Sequence, residues 1–262
     1  MYRFFRLAKT FLAVYYSYMV EYRAELILWS LSNSLPIILM GVWMEAGDRG
    51  NFAMNSIEFA RYFLAVFLVR QLNVVWVIWE FETQIVQGKL SPKLLQPVDP
   101  VWHHIAGHLA ERLARMPFVI GLMLLCFTLY PQAIWIPSLG NVLLVLLLIS
   151  LAFILRFLIQ YTLALFGFWL ERVSALEQVW HLPYIFTSGL IAPLAVFPDQ
   201  LREIILWTPF PYMLYIPASL LIGLPVDIVR CLLVILSWTV VIFLLNRWLW
   251  RRGLRHYSGM GA

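Results

Sequence analysis

Leu139-Gly-Asn-Val-Leu-Leu-Val-Leu-Leu-Leu-Ile-Ser-Leu-Ala-Phe-Ile-Leu-Arg-Phe-Leu-Ile-Gln-Tyr-Thr-Leu-Ala-Leu-Phe-Gly-Phe-Trp-Leu170 runs for 32 residues with a single charge, Arg156. A bilayer core of about 30 Å is crossed by roughly 20 apolar residues in a helix. At 1.5 Å per residue this run would reach about 48 Å, so a tilted span or one protruding into the cytoplasm is expected. Nothing in a water-soluble fold requires so long an apolar run.

Working outward, five more stretches of this kind appear. They cover Ala24 to Met44, Ile57 to Trp79, Met116 to Ile136, Val173 to Phe197 and Val226 to Trp248. The whole chain of 262 residues is 62% apolar and 13% charged, against about 45–50% and about 25% in soluble domains. A soluble enzyme, a disordered chain, a collagen and a disulfide scaffold are excluded together. The runs are too apolar for an outer-membrane barrel, whose strands alternate. The expected fold is an all-α membrane protein with six transmembrane helices, one domain over residues 1–262. Cys126 and Cys231 sit inside apolar runs, so no disulfide follows from them.

The charges orient these spans. Thirteen of the 19 Lys and Arg residues fall on one side, in the N-terminal segment, the second loop, Arg172 and the C-terminal segment. The other side carries only Arg49, Arg61 and Arg202, beside six acids. The positive-inside rule therefore predicts cytoplasmic termini, which six spans also require. The net charge of +5 reads as topology and not as a nucleic-acid surface. Regularly spaced N-terminal charges before a full span argue against a cleavable signal peptide.

Three segments are not plain spans. Residues 1–23 form an amphipathic stretch, with Phe4, Leu7, Phe11, Leu12, Tyr15, Tyr18 and Tyr22 on one half of the wheel and Arg3, Arg6 and Lys9 on the other. An interfacial elbow helix is expected; the alternative is a cytoplasmic extension packed on its neighbours. Residues 80–115 form a cytoplasmic region in which Gly88, Pro92, Pro97 and Pro100 preclude one continuous helix. There Leu90, Leu94, Leu95 and Val98 offer an apolar ridge for a membrane surface or a partner. Residues 198–225 are apolar yet hold Pro198, Pro209, Pro211 and Pro217. An extracytoplasmic re-entrant hairpin before the last helix fits them, provided protein surrounds its backbone. Pro183, Gly189 and Pro193 interrupt the fifth span as well.

Together these stretches resemble a known family, the membrane subunits of ABC transporters of the type-2 exporter class. More narrowly, the chain is similar to bacterial permeases of this length that are encoded with a second permease and a separate ATPase. The likeness rests on Glu21-Tyr-Arg23 and on Gly88-Lys-Leu-Ser-Pro-Lys-Leu-Leu-Gln-Pro-Val-Asp-Pro100. It rests also on Ser188-Gly189 through Pro193, Pro198 and Leu201-Arg202 to Pro209-Phe210, and on Arg251 to Tyr257. The basic, histidine-rich run after Pro100 matches no family pattern. The resemblance implies the permease half of an ATP-driven exporter in the bacterial cytoplasmic membrane. It further implies two cytoplasmic ATPase subunits, and a second permease, either a related chain or a second copy. Gly88, Leu90, Leu94, Leu95, Pro97 and Pro100 would couple to the ATPase; Ser188, Gly189, Pro193, Pro198, Pro209 and Pro211 would form an extracytoplasmic gate. No G-x-x-x-x-G-K-[ST] occurs, so ATP and Mg are expected on the partner and no cofactor on this chain.

Single residues complete the reading. Arg70 lies about 20 Å along the second span from Ile57, near the bilayer middle, where a charge is costly and faces a cavity or partner. With Gln71, Asn73 and Trp76 it marks a candidate substrate path. The competing role for Arg70 is capping a broken helix or pairing across a dimer. Arg156 is expected to snorkel to the cytoplasmic headgroups, and Arg230 to pair with Asp227. His104, His108 and Glu111 share a helical face. A cytoplasmic surface patch with Arg112 and Arg115 is expected there, and no metal site. Glu171 and Glu177 read as solvated span-end acids. No catalytic constellation stands out. A stand-alone secondary transporter or channel would need buried acids at mid-membrane depth, and an integral membrane enzyme would need a His, Asp or Ser cluster; neither signal is seen. An amphipathic or lipid-like cargo suits an apolar path with one buried cation.

Overall fold

The structure, a computed structural model, describes residues 2–50, 52, 54–170 and 172–257, and side chains from residue 6 onward. Glu171 and the side chains of Arg3 and Phe4 thus lie outside the described residues. Among those described, every regular element is helical. In chain order the helices are α1 (Tyr2–Glu21), α2 (Arg23–Ser32), α3 (Leu35–Asp48), α4 (Ser56–Leu72), α5 (Val77–Val86) and α6 (Leu90–Leu94). They continue as α7 (Val101–Leu129), α8 (Leu139–Ala164), α9 (Ser174–Thr187), α10 (Asp199–Ile205), α11 (Tyr215–Leu221) and α12 (Ile228–His256).

Among the described residues, five stretches are long and apolar enough to cross a bilayer: Arg23–Asp48, Ser56–Val86, Val101–Leu129, Leu139–Phe168 and Ile228–His256. The stretch expected as a fifth span behaves differently. Its helix, α9, has 14 residues, about 21 Å at the α-helical rise, and ends at Thr187. Beyond it Gly189 takes a φ of 87°, where a Cβ would come within 2.8 Å of the Cβ of Tyr215. The backbone then turns through Pro193 instead of continuing as a helix.

Local chemistry sets the helix starts. Asn55 and Glu58 form a reciprocal capping box, both bonds at 2.9 Å. Ser138 caps α8 through Asn141 N, and Asp227 caps α12 through Arg230 N. The third span begins at Val101, not at Met116. Charge was read as its boundary, yet Arg115 is paired with Glu111 on the same helix, so the charges ride inside the fold. Pro117 sits within α7 without ending it.

α4 occupies the centre. Phe59, Phe63, Val66 and Phe67 are fully enclosed, and α3, α7 and α11 pack around it. A helix whose middle is apolar and enclosed on every side is the interior element of a bundle. α1 lies along α7, with the Tyr15 hydroxyl 3.2 Å from His103 Nδ1 and the Phe11 ring 4.6 Å from the His103 ring. Only Phe11, Leu12, Tyr15 and Met19 are partly covered there, while Val14, Tyr18 and Tyr22 of the expected apolar half remain exposed.

The proline-rich segment before α12 folds into α10, a 3-10 turn and α11. α11 packs on α4 and α8 and is almost wholly buried. Side chains satisfy its last carbonyls: Trp135 Nε1 donates to Leu221 O at 3.1 Å and Asn141 Nδ2 to Leu220 O at 3.4 Å. Short helices with buried carbonyls are tolerable in an apolar medium only with such partners.

Candidate functional site

The second span breaks at Asn73–Trp76, between α4 and α5. Asn73 N still reaches Arg70 O at 3.0 Å, but the next amides leave the helical ladder. Trp76 N donates to His108 Nε2 at 3.1 Å, and Asn73 Nδ2 to Met213 O at 3.0 Å. The break aims Arg70, Val75 and Trp76 into a cavity of about 630 Å³. The α1–α2 elbow closes one side with Tyr18, Tyr22, Glu25 and Trp29; α7, α8 and α9 supply Glu111, Arg115, Arg156, Glu177 and His181.

Of the four residues proposed from sequence for the path, Arg70 and Trp76 line this cavity. Gln71 and Asn73 do not; they are buried as ties between elements. Gln71 Nε2 donates to Ser30 O at 3.0 Å and its Oε1 accepts from Arg115 Nη1 at 3.4 Å. Arg70 carries a buried Nη1 with no hydrogen-bond partner among the described residues.

Several expectations are corrected. The face His104, His108, Glu111, Arg115 is not a surface patch: all four are buried. Glu80 Oε2 approaches His104 Nδ1 to 2.8 Å, and Glu111 pairs with Arg115 and accepts the Trp76 indole N–H. The face lies inward because α5 and α8 cover it where solvent was expected: Glu80 and Phe81 meet His104, and Phe153 and Phe157 meet His108. Arg156 does not snorkel. It is buried, donates from Nη1 to the Tyr184 hydroxyl at 2.8 Å and lies 4.6 Å from that ring's centroid. Glu177 is buried too, accepting from Gln160 Nε2 at 3.1 Å on each oxygen. The guanidinium of Arg230 bonds Glu203 at 2.9 Å, because the Asp227 carboxylate is engaged by the backbone N–H at the helix start. Buried acids are therefore present at span depth. One signal could have found the first of them: the i, i+4 step from Glu111 to Arg115, which lets a charged pair enter a span.

The cytoplasmic segment of the sequence reading splits in two. Leu90 is fully buried against Phe81, Ile85, Phe168 and Trp250, with Leu94 beside it, and Pro100 is buried. Leu95 is 88% exposed, and Pro97 is exposed with it. Gly88, with Lys89, makes the turn out of α5. The C-terminal end of α12 packs beneath this segment: Tyr257 Oη lies 3.1 Å from Ser91 Oγ, and Arg247 Nη1 donates to Asp99 Oδ2 at 3.4 Å. Gly253 permits this, since a Cβ there would strike the Phe168 ring. A second hollow of about 420 Å³ lies between Trp76 and Trp79 on one side and Lys89 and Lys93 on the other. Burial holds the Lys93 ammonium below its ordinary value, with Glu80 opposing.

The residues proposed as a gate gather around the α9 end. Ser188 O accepts from Tyr215 N at 2.9 Å and Gly189 O from the Tyr62 hydroxyl at 2.8 Å. Pro193, Pro209 and Pro211 are buried nearby in the fold, while Pro198 is exposed at the start of α10.

A polytopic helical domain with a broken central span and a cavity lined by aromatic and charged side chains has the features of the membrane part of a transporter. The family described as ABC-2 family transporter protein matches residues 26–261. The chain belongs to that family and is an ABC transporter permease, the membrane component of systems that work with ATPase subunits and not itself the catalytic part. No curated protein matches the chain.

Proposed function

We propose that this permease is one half of an ATP-driven exporter that moves an amphipathic or lipid-like substrate out of the cytoplasm or inner leaflet of a bacterial cytoplasmic membrane. The observation that carries the reading is the family match over residues 26–261 on a chain with a cavity beside a broken span. Two ATPase subunits bind from the cytoplasm and hold ATP and Mg, and a second permease, a related chain, completes the pathway. Both termini are cytoplasmic. α9 and the hairpin 198–225 together serve as the fifth crossing and an extracytoplasmic re-entrant element, with Ser188, Gly189 and the prolines as its gate. Leu95 and Pro97 are the exposed part of the coupling surface, and Leu90, Leu94, Gly88 and Pro100 hold it in place.

Co-purification tests this. An ATPase subunit should come down with the wild-type chain and be lost from Leu95→Asp, whose exposed position leaves the fold intact. An active, stable protein with no ATPase partner would sink the reading. That outcome would favour a stand-alone secondary transporter, for which buried Glu111 and Glu177 are the supporting observation. Both carboxylates are already committed to hydrogen bonds, which weighs against their service as free ion carriers.

A further inference from the structure

The cavity contains three arginines, Arg70, Arg115 and Arg156, and three acids, Glu25, Glu111 and Glu177. Formal charge cancels, so charge counting alone assigns no ligand. Hydrogen bonding does not cancel. Glu111 is engaged by Trp76 and Arg115, and both oxygens of Glu177 accept from Gln160. On the cationic side Arg70 Nη1, Arg115 Nε and Arg156 Nε are buried without partners. Among the described cavity-lining residues, every unpartnered buried polar side-chain atom is therefore a donor on a guanidinium. A buried guanidinium is matched best by an anionic acceptor, which a planar fork grips at two oxygens.

Arg70, Arg156 and His181 lie within electrostatic reach of one another. Glu177 is in reach of Arg156 and 3.9 Å from His181 Nδ1, but its oxygens bond Gln160 and the Arg156 Nη1 bonds Tyr184. Opposite them the wall changes character. Tyr18, Tyr22 and Trp29 line the cavity and are 55%, 43% and 58% exposed. That wall is aromatic and accessible, and it belongs to the elbow.

We propose that this cavity binds an anionic amphiphile. Its phosphate, sulfate or carboxylate head sits between Arg70 and Arg156, and its apolar part leaves past the aromatic elbow. This rests on the transport reading above and narrows its substrate class. Arg115, already tied to Glu111 and Gln71, positions the Trp76 wall and keeps a buried Nε–H without a partner for the head.

The test is isothermal titration of the purified chain in neutral detergent with dodecyl phosphate, dodecyltrimethylammonium and inorganic phosphate. Dodecyl phosphate should bind saturably. Arg70→Gln and Arg156→Gln should each weaken it about tenfold, the loss of one charge-assisted hydrogen bond. Arg70→Lys should weaken it less than Arg70→Gln does, since the charge remains while the two-oxygen grip is lost. Arg61→Gln, on the same helix but outside the cavity, should change nothing and controls for folding. Equal binding of dodecyl phosphate by wild type and the Arg70/Arg156 double variant would overturn the site. So would equal binding of the cationic amphiphile. Inorganic phosphate binding as tightly as dodecyl phosphate would overturn the amphiphile and leave a soluble anion. Charge-dependent binding in a protein that never recruits an ATPase defeats the transport reading alone. An ATPase partner without charge-dependent binding defeats the site alone.

Discussion

The second span, Ser56–Val86, and the last helix, Ile228–His256, are nearly equal in length, at 31 and 29 residues. The last helix is the more apolar, yet only 17% of its most apolar window is buried within the chain, against 67% for the second span. In water the order would be reversed. In a bilayer the lipid takes the most apolar surface, and the helix that carries Arg70, Gln71 and Asn73 is drawn inside, where protein groups can meet them. α12 keeps its charges for its ends: Asp227 and Arg230 at one, Arg247 and the arginines after it at the other.

This contrast can be broken most forcefully at the interior charges. Glu111→Ala strands Arg115 in a buried site and should cost about 4 kcal/mol, seen as loss of monodisperse protein or a large fall in melting temperature in detergent. The double variant Glu111→Gln, Arg115→Gln should recover most of that loss, because no unpaired charge remains; equal damage in both would show that the site depends on shape and not on charge. A packing contrast comes next. Phe63→Ala in enclosed α4 should cost about 3 kcal/mol. Leu244→Ala, 62% exposed on α12, should cost under about 0.5 kcal/mol in the same thermal assay. Comparable losses would mean that α12 is packed as tightly as α4. The smallest effect belongs to the capping box. Asn55→Ala should remove about 1 kcal/mol, and Asn55→Asp should restore most of it.

Much of the fold was legible. The start of α4 follows from Asn55 and Glu58, and the turn after α5 from Gly88, Pro92 and Pro97. The site was legible only in part. Arg70 stands out because a lone charge within an apolar run has a computable depth. Arg156 stands out as little as any span-end arginine, and its place beside Arg70 depends on how α8 crosses α4. Glu177 and Gln160 are 17 residues apart and meet through the turn between α8 and α9, a pairing no local spacing implies. The histidine face failed for a related reason. Its charges suggested water, whereas α5 and α8 cover it.

The sequence by itself determined that this chain lives in a bilayer, roughly where most of its spans lie and that it belongs among transporter permeases, because apolar length is a local property. Only the tertiary structure decided which spans lie inside, that the fifth stretch is a short helix followed by a turn, and that three arginines share one cavity. Lipid and protein interior are equally apolar, so hydropathy cannot separate a face turned to lipid from a face turned to a neighbouring helix. That choice is made by packing, and the polar atoms follow it.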